Sequence, residues 1–216
     1  MGQVGLFLSG AALFLNALVL MGKANDKSAG VFNLFVGTLQ VIIPFYLIVI
    51  SDGSSWVIFQ HAAVFLFGLT YLYFGFTIIK GLDSSGLGYF SLWTAIICLI
   101  YSAASVLHFD DAIGALTWIM WAVLWGLFYV LNVWKRDISA YTGRVAFVQS
   151  WVTLTIPALL SMTEMWDSIP GLSTAWVILQ LLCLVYFAVS GLGTYAAVKA
   201  VPASNGLAET DRIARS

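Results

Sequence analysis

Charge is scarce in this chain. Lys, Arg, Asp and Glu make up 9% of its 216 residues, and the net charge is −1. An ordinary soluble domain carries about 25% charged residues, so a water-facing surface of the usual kind is excluded. No basic cluster could meet a polyanion, which excludes a nucleic-acid partner. Cysteine is limited to Cys98 and Cys183, both inside apolar runs and without a CxxC neighbour or a nearby His. The two are expected as small buried fillers rather than as a redox pair or metal ligands. Lys and Arg are absent from the first 22 residues. A cleavable signal peptide opens on a basic segment, so this stretch is expected to remain as a first helix.

What is present is apolar: 61% hydrophobic residues and 15% aromatic, with a mean hydropathy of +0.96. A helix needs about 20 apolar residues to cross the hydrocarbon of a bilayer. Charge-free stretches of that size predict spans at 3–22, 30–51, 56–79, 88–108, 112–134, 145–163 and 172–198. The connections carry turn formers such as Gly22, Asp52-Gly53 and Gly81. With this count every Lys and Arg falls on one side. Lys23, Lys27, Lys80, Lys135, Arg136 and Arg144 sit in the first, third and fifth connections, and Lys199, Arg212 and Arg215 follow the last span. The positive-inside rule puts that side in the cytoplasm. Opposite it stand Asp52, Asp110, Asp111, Glu164 and Asp167, with no basic residue beside them. The expected fold is therefore an all-α integral membrane protein of seven transmembrane helices, N-terminus outside and C-terminus cytoplasmic. The small, polar stretch 202–216 is expected as a disordered cytoplasmic tail.

None of the predicted spans holds Lys, Arg, Asp or Glu. Ion-coupled transporters, proton pumps and voltage sensors keep ionisable groups at membrane depth, and a retinal protein needs a lysine within its last helix. An active site inside the membrane would need an acid, base or metal cluster. No enzyme and no cofactor is expected. The spans carry aromatic and neutral polar groups instead. Trp118, Trp121 and Trp125 share one helical face through spacings of three and four. Phe67 and Tyr71 lie one turn apart, as do Gln149 and Thr153, with Pro157 beyond; Asn16, Asn33 and Gln40 add amides. Aromatic stripes serve packing, isolated amides tie helices together, and Gly10, Gly37, Gly68 and Gly75 suit close helix contact. Together, however, these groups suit a small, uncharged, planar amide. Its flat faces slide between rings, a few neutral groups bond its N–H and C=O, and ions find no compensation for dehydration.

The same residues resemble the AmiS/UreI family of bacterial short-chain amide and urea channels. Leu6, Gly10 and Asn16 match its first helix, and Asn33-Leu-Phe-Val-Gly37 is similar to its N-x-F-V-G. Phe67-Gly-Leu-Thr-Tyr71-Leu-Tyr73 is close to F-G-F-T-Y-L-Y, and Trp118-Ile-Met-Trp121-Ala-Val-Leu-Trp125 to W-x-x-W-x-V-L-W. Gln149, Thr153 and Ile156-Pro157 stand where the family has E-G-x-x-T-x-x-I-P. The resemblance covers roughly residues 1–165. It implies a six-helix channel bundle over 1–165, an additional seventh transmembrane helix within 166–201, and the tail beyond.

It further implies a pore in each protomer of a homohexamer, set among membrane lipid in the bacterial cytoplasmic (inner) membrane. Leu6, Phe67, Tyr71, Trp118, Trp121, Trp125, Gln149 and Thr153 would line that pore, with Leu6 near the outer mouth. The implied activity is passive passage of urea or small neutral amides such as acetamide. Two readings stand beside it: a non-conducting sensor or assembly subunit, and an ion-coupled small-solute transporter. The chain departs from the family in Gln149, where a glutamate is usual, in its extra helix, and in having only two histidines. The candidate pH-sensing groups are His61, near the outer end of the third helix, and His108 with Asp110 and Asp111, whose carboxylates would favour its protonated form.

Overall fold

The structure, a computed structural model, describes residues 2–200. The tail expected at 202–216 lies outside the described residues. Among those residues, seven helices are long and apolar enough to cross a membrane. They are α1 (Gly2–Leu20), α2 (Asp26–Ile50), α3 (Ser55–Lys80), α4 (Ser85–Leu107), α5 (Ala112–Asn132), α6 (Ser139–Met162) and α7 (Leu172–Ala200). A single helical turn, Met165–Ser168, lies between the last two.

The turn signals act where the sequence puts them. Gly22 and Gly81 take left-handed φ values of 70° and 63°. Each lets the chain fold back on the last carbonyls: Lys23 N–H donates to Leu18 O at 2.8 Å and Leu82 N–H to Thr77 O at 2.9 Å. Glycine adopts this conformation at no steric cost, and the bonds satisfy acceptors a helix end would leave free. At helix starts, Asn25 accepts from Ser28 N–H and Asp111 from Gly114 N–H, the side-chain caps expected of these residue types.

The helices α2 and α3 pack backbone to backbone. Gly30 and Gly37 on one helix meet Gly75 and Gly68 on the other, seven residues apart on each side. A Cβ at Gly37 would lie 2.8 Å from the backbone nitrogen of Leu72, and one at Gly75 would lie 2.8 Å from the carbonyl of Gly30. The two backbones therefore touch, as small residues permit in a membrane where helices gain nothing from expelling water. The helix α1 runs between α2 and α6. It is tied to α2 by a reciprocal amide pair, Asn16 to Asn33 at 2.9 and 2.7 Å, and by Gln40, which donates to Gly5 O at 2.7 Å and to Ser9 Oγ. Cys98 and Cys183 are buried and free.

Two features of α6 depart from the sequence reading. It starts at Ser139 rather than near 145, so Arg144 lies within the helix on an exposed face. Hydropathy detects the hydrocarbon-depth part of a helix, and this one begins before it. Secondly, residues Ser150–Thr155 form a π-helical stretch. Ile156 N–H reaches back five residues to Trp151 O, and Thr155 Oγ1 donates to Ser150 O at 2.7 Å. Pro157 follows at once, and having no N–H it cannot supply the ordinary bond to the carbonyl four residues back. Gly10 of α1 packs on the widened turn: a Cβ there would meet Thr155 N at 3.1 Å and Ser150 O at 3.2 Å.

Candidate functional site: two cavities and an aromatic divide

Two cavities lie inside the helix cluster. One, about 120 Å³ and labelled the outer cavity for its distance from the basic end, is bounded by Leu6, Ser9, Gln40, Gln60, Phe67, Trp118 and Trp121. The other, about 260 Å³ and labelled the inner cavity, is bounded by Asn16, Thr70, Tyr71, Ser91 and Asn132 and opens towards Ser84 and Asp26 at the basic end. Their walls are continuous along three helices. On α1 the lining residues are Gly2, Leu6 and Ser9 in the outer cavity, then Leu13, Asn16 and Leu20 in the inner one. On α3 they are Gln60, Val64 and Phe67, then Tyr71, Phe74 and Ile78. On α5 they are Trp118 and Trp121, then Phe128 and Asn132, with Trp125 between. Every step is three or four residues, so each stripe stays on one helical face. The two cavities thus lie in succession along the same three helix faces.

The divide between them is aromatic. Phe67 borders the outer cavity and Tyr71, one turn on, the inner. The Phe67 ring meets Trp121 edge-on at 4.6 Å between centroids and Trp125 at 5.0 Å. The polar edges of these rings are all tied down. Trp121 Nε1 donates to Thr153 Oγ1 at 2.9 Å, and that hydroxyl donates in turn to Gln149 O at 2.7 Å. Trp125 Nε1 donates to Thr70 Oγ1 at 3.2 Å, and Thr70 to Leu66 O at 2.6 Å. The Tyr71 hydroxyl donates to Ser9 O at 3.1 Å. With its polar edge engaged, each ring offers the path only its face or carbon rim and is fixed in rotamer.

Of the residues singled out from sequence, Leu6, Phe67, Trp118 and Trp121 line the outer cavity and Tyr71 the inner. Trp125 packs on Phe67 at the divide. Gln149 and Thr153 are placed behind the rings, in the α5–α6 contact. Gln149 is fully buried, donates to Met120 O at 2.8 Å, and borders neither cavity. Thr153 also borders neither cavity and is linked to the outer one through the Trp121 indole it holds. His108 ends α4, is exposed, and stacks on Trp56 at 3.7 Å. Asp110 and Asp111 lie beside it in the α4–α5 turn, Asp111 as the cap of α5. His61 stands apart, half-buried on α3 and off the lining stripe.

Sequence reasoning missed Gln60 and Ser9 as lining residues, and also Phe59 and Tyr101. These last two rings stack at 4.1 Å and join Trp56 to Trp118, so an unbroken run of aromatic contacts leads from His108 to the divide. The stripe on α3 was readable from its spacing alone. Phe59 and Tyr101 carried no such signal, because they meet across two helices. Among the lining residues of both cavities the single carboxylate is Asp26, exposed at the basic end, and there is no Lys, Arg or His.

Known proteins share this arrangement. The AmiS/UreI family transporter model matches residues 1–165. The chain is 38% identical over 177 residues to the putative transporter protein AmiS2 of Rhodococcus erythropolis, covering 82% of this chain and 86% of that one. It is 40% identical over 172 residues to a putative amidate substrates transporter protein of Mycolicibacterium smegmatis, covering 79% and 80% of the two chains. The cryo-EM structure of the Helicobacter pylori urea channel in its closed state superposes with a TM-score of 0.69 at 27% identity, covering 77% of this chain and 100% of that one. The family match ends before α7 begins. The chain is a multi-pass membrane protein and belongs to the AmiS/UreI family of transporters.

Proposed function

We propose that the chain is a passive channel for urea and small neutral amides such as acetamide. The observation that carries this reading is the pair of cavities continuous along α1, α3 and α5 and divided by Phe67, Tyr71, Trp121 and Trp125. A planar amide presents π-faces to the rings and hydrogen-bonding groups to Gln60 and Ser9 before them and to Asn16 and Asn132 after them. An ion passing the divide would lose its hydration shell and meet no charge in return. The relative named a putative amidate substrates transporter protein is 40% identical to this chain, which makes acetamide the first solute to test and urea the second.

In this reading Gln149 and Thr153 act as positioning residues for Trp121, and Leu6 stands at the outer mouth. The side bearing Lys23, Lys27, Lys80, Lys135 and Arg136 is cytoplasmic by the positive-inside rule, which puts the N-terminus outside. The protein sits in the bacterial inner membrane as a homohexamer, each protomer with its own path. His108, with Asp110 and Asp111 beside it, is the candidate pH-sensing group, since its stack on Trp56 begins the aromatic run to the divide; His61 is a second, separate candidate. Purified protein in liposomes should accelerate acetamide or urea movement in stopped-flow light scattering, with no dependence on a sodium or proton gradient. Equal rates in protein-free vesicles for both solutes would sink the proposal, and gradient dependence would turn it into coupled transport.

A further inference from the structure

A groove of about 590 Å³ lies off the conduction path, at the basic end, where α5, the start of α6 and the end of α7 come together. Its walls are apolar: Leu127 and Val130 from α5 and Ile138 from the entrance to α6. Gly191 of α7 lets that helix pack directly onto Tyr141 at the floor, since a Cβ there would lie 2.8 Å from the Tyr141 hydroxyl. That hydroxyl is already engaged, donating to Phe187 O at 2.7 Å, so it adds no polar demand to the groove. The volume falls in the range of small-ligand sites, about 300–1,000 Å³. The α7 surface beside it, Val189 and Leu192, is exposed and apolar, so the groove opens sideways to the hydrocarbon rather than to water.

The rim is different. Trp134 is exposed there, as an interfacial aromatic would be. Next to it stands Arg136, exposed and without an ion-pair partner among the described residues. Its neighbour Lys135 is occupied, lying 3.8 Å from Asp83 and donating to Ser84 Oγ at 2.9 Å. The first turn of α6 adds to the same sign of potential, because its cap position is Ile138, which has no side-chain acceptor for the free amides. An apolar slot open to the bilayer, with a guanidinium and an indole at its mouth, has the complement of one molecule class.

We propose that this groove is a binding site for an anionic phospholipid, an acyl chain lying between α5 and α7 and the phosphate resting on Arg136. Basic pockets between membrane helices recognise headgroups in this way, and a guanidinium binds phosphate bidentately. The proposal is independent of the solute the channel carries. It also assigns a task to α7, the helix beyond the family match: with α5 it closes the groove.

Native mass spectrometry of the full chain in detergent tests this, using phosphatidylglycerol and phosphatidylcholine of identical acyl chains. Phosphatidylglycerol should be retained about fivefold more strongly, the worth of one arginine beside an anionic headgroup. Arg136→Gln should abolish that preference while Lys135→Gln leaves it intact. Thr194→Trp, which fills the groove, should reduce retention of both lipids; should that variant fail to fold, the Arg136 and Lys135 pair still decides. Equal retention of the two lipids by the unaltered chain would overturn the proposal, as would an equal effect of Arg136→Gln and Lys135→Gln. A shift in oligomer mass with Arg136→Gln at unchanged lipid retention would overturn it too, in favour of a second copy as occupant.

Discussion

The two sides of the path are built by opposite means. On the α2–α3 side the backbones meet at Gly30, Gly37, Gly68 and Gly75, and at Gly37 and Gly75 a Cβ would come within 2.8 Å of the facing backbone. On the α5 side three tryptophans hold the helix away from α3 and fill the gap with rings. The difference teaches where rigidity is needed. The glycine seam sets the position of α3 and hence of Phe67 and Tyr71, whereas the tryptophans border the cavities and, in the proposed channel, would form the surface a solute meets. On that proposal one wall is scaffold and the other is sieve, and α3 belongs to both.

Breaking the seam should have the largest effect. Gly37→Val pushes a branched side chain against the Leu72 backbone nitrogen and the Gly68 carbonyl. Overpacking of this kind costs about 1–3 kcal/mol, and because the neighbours here are backbone the upper end applies. Folded yield and melting temperature in detergent should fall together. Trp121→Ala should act on transport instead. The ring borders an existing cavity, so its loss enlarges that space rather than leaving a sealed void. Propionamide flux should rise relative to acetamide several-fold, with the protein still folded. If the variant collapses as Gly37→Val does, the distinction between scaffold and sieve is lost.

Thr153→Val sharpens the comparison at smaller scale. It keeps the shape and strands the Trp121 indole N–H, a buried donor whose desolvation costs about 1–3 kcal/mol. Melting temperature should drop while solute selectivity moves less than in Trp121→Ala. Smallest of all is the link between the two sides at the basic end, Asp83 after α3 and Lys135 after α5. The Ser85 hydroxyl, the Ser85 amide and then Lys135 hold the Asp83 carboxyl below its ordinary range. A depressed carboxylate contributes stability above its unfolded value and loses it as pH falls through the folded one. Melting temperature should therefore decline slightly on acidification below the ordinary carboxylate range, and Asp83→Asn should remove that decline. The group is fully exposed, so the change is small.

The spans were legible because a bilayer asks one question of a helix, its length in apolar residues, and the chain answers it plainly. Gly37, Gly68 and Gly75 were legible as contact sites for the same reason, since a membrane helix carries glycine where it touches another. Trp118, Trp121 and Trp125 were legible as a face. Gln149 shows the limit. Its place one turn before Thr153 is visible in sequence, but whether an amide points at a solute or at a neighbouring carbonyl depends on which helix lies opposite, and here Met120 O takes it. The start of α6 was misjudged because the helix extends past the apolar stretch, carrying Arg144 on its exposed side. The extra helix could be counted from sequence, but the groove it forms with α5 could not, because its parts lie more than 50 residues apart.

The widened turn at Ser150–Thr155 bears on how this stretch tolerates change. It brings Thr153 under the Trp121 indole while Gly10 of the first helix rests on its backbone. Trp151, which faces neither contact, instead packs edge-on against Phe14 of the first helix. The turn holds one residue more than ordinary pitch needs. Removing one would return it to ordinary pitch and leave the segments before and after it in nearly their present register. The cost of a single deletion between Gln149 and Pro157 is then local: the place of Thr153 under the indole and the seat of Gly10, rather than the register of α6.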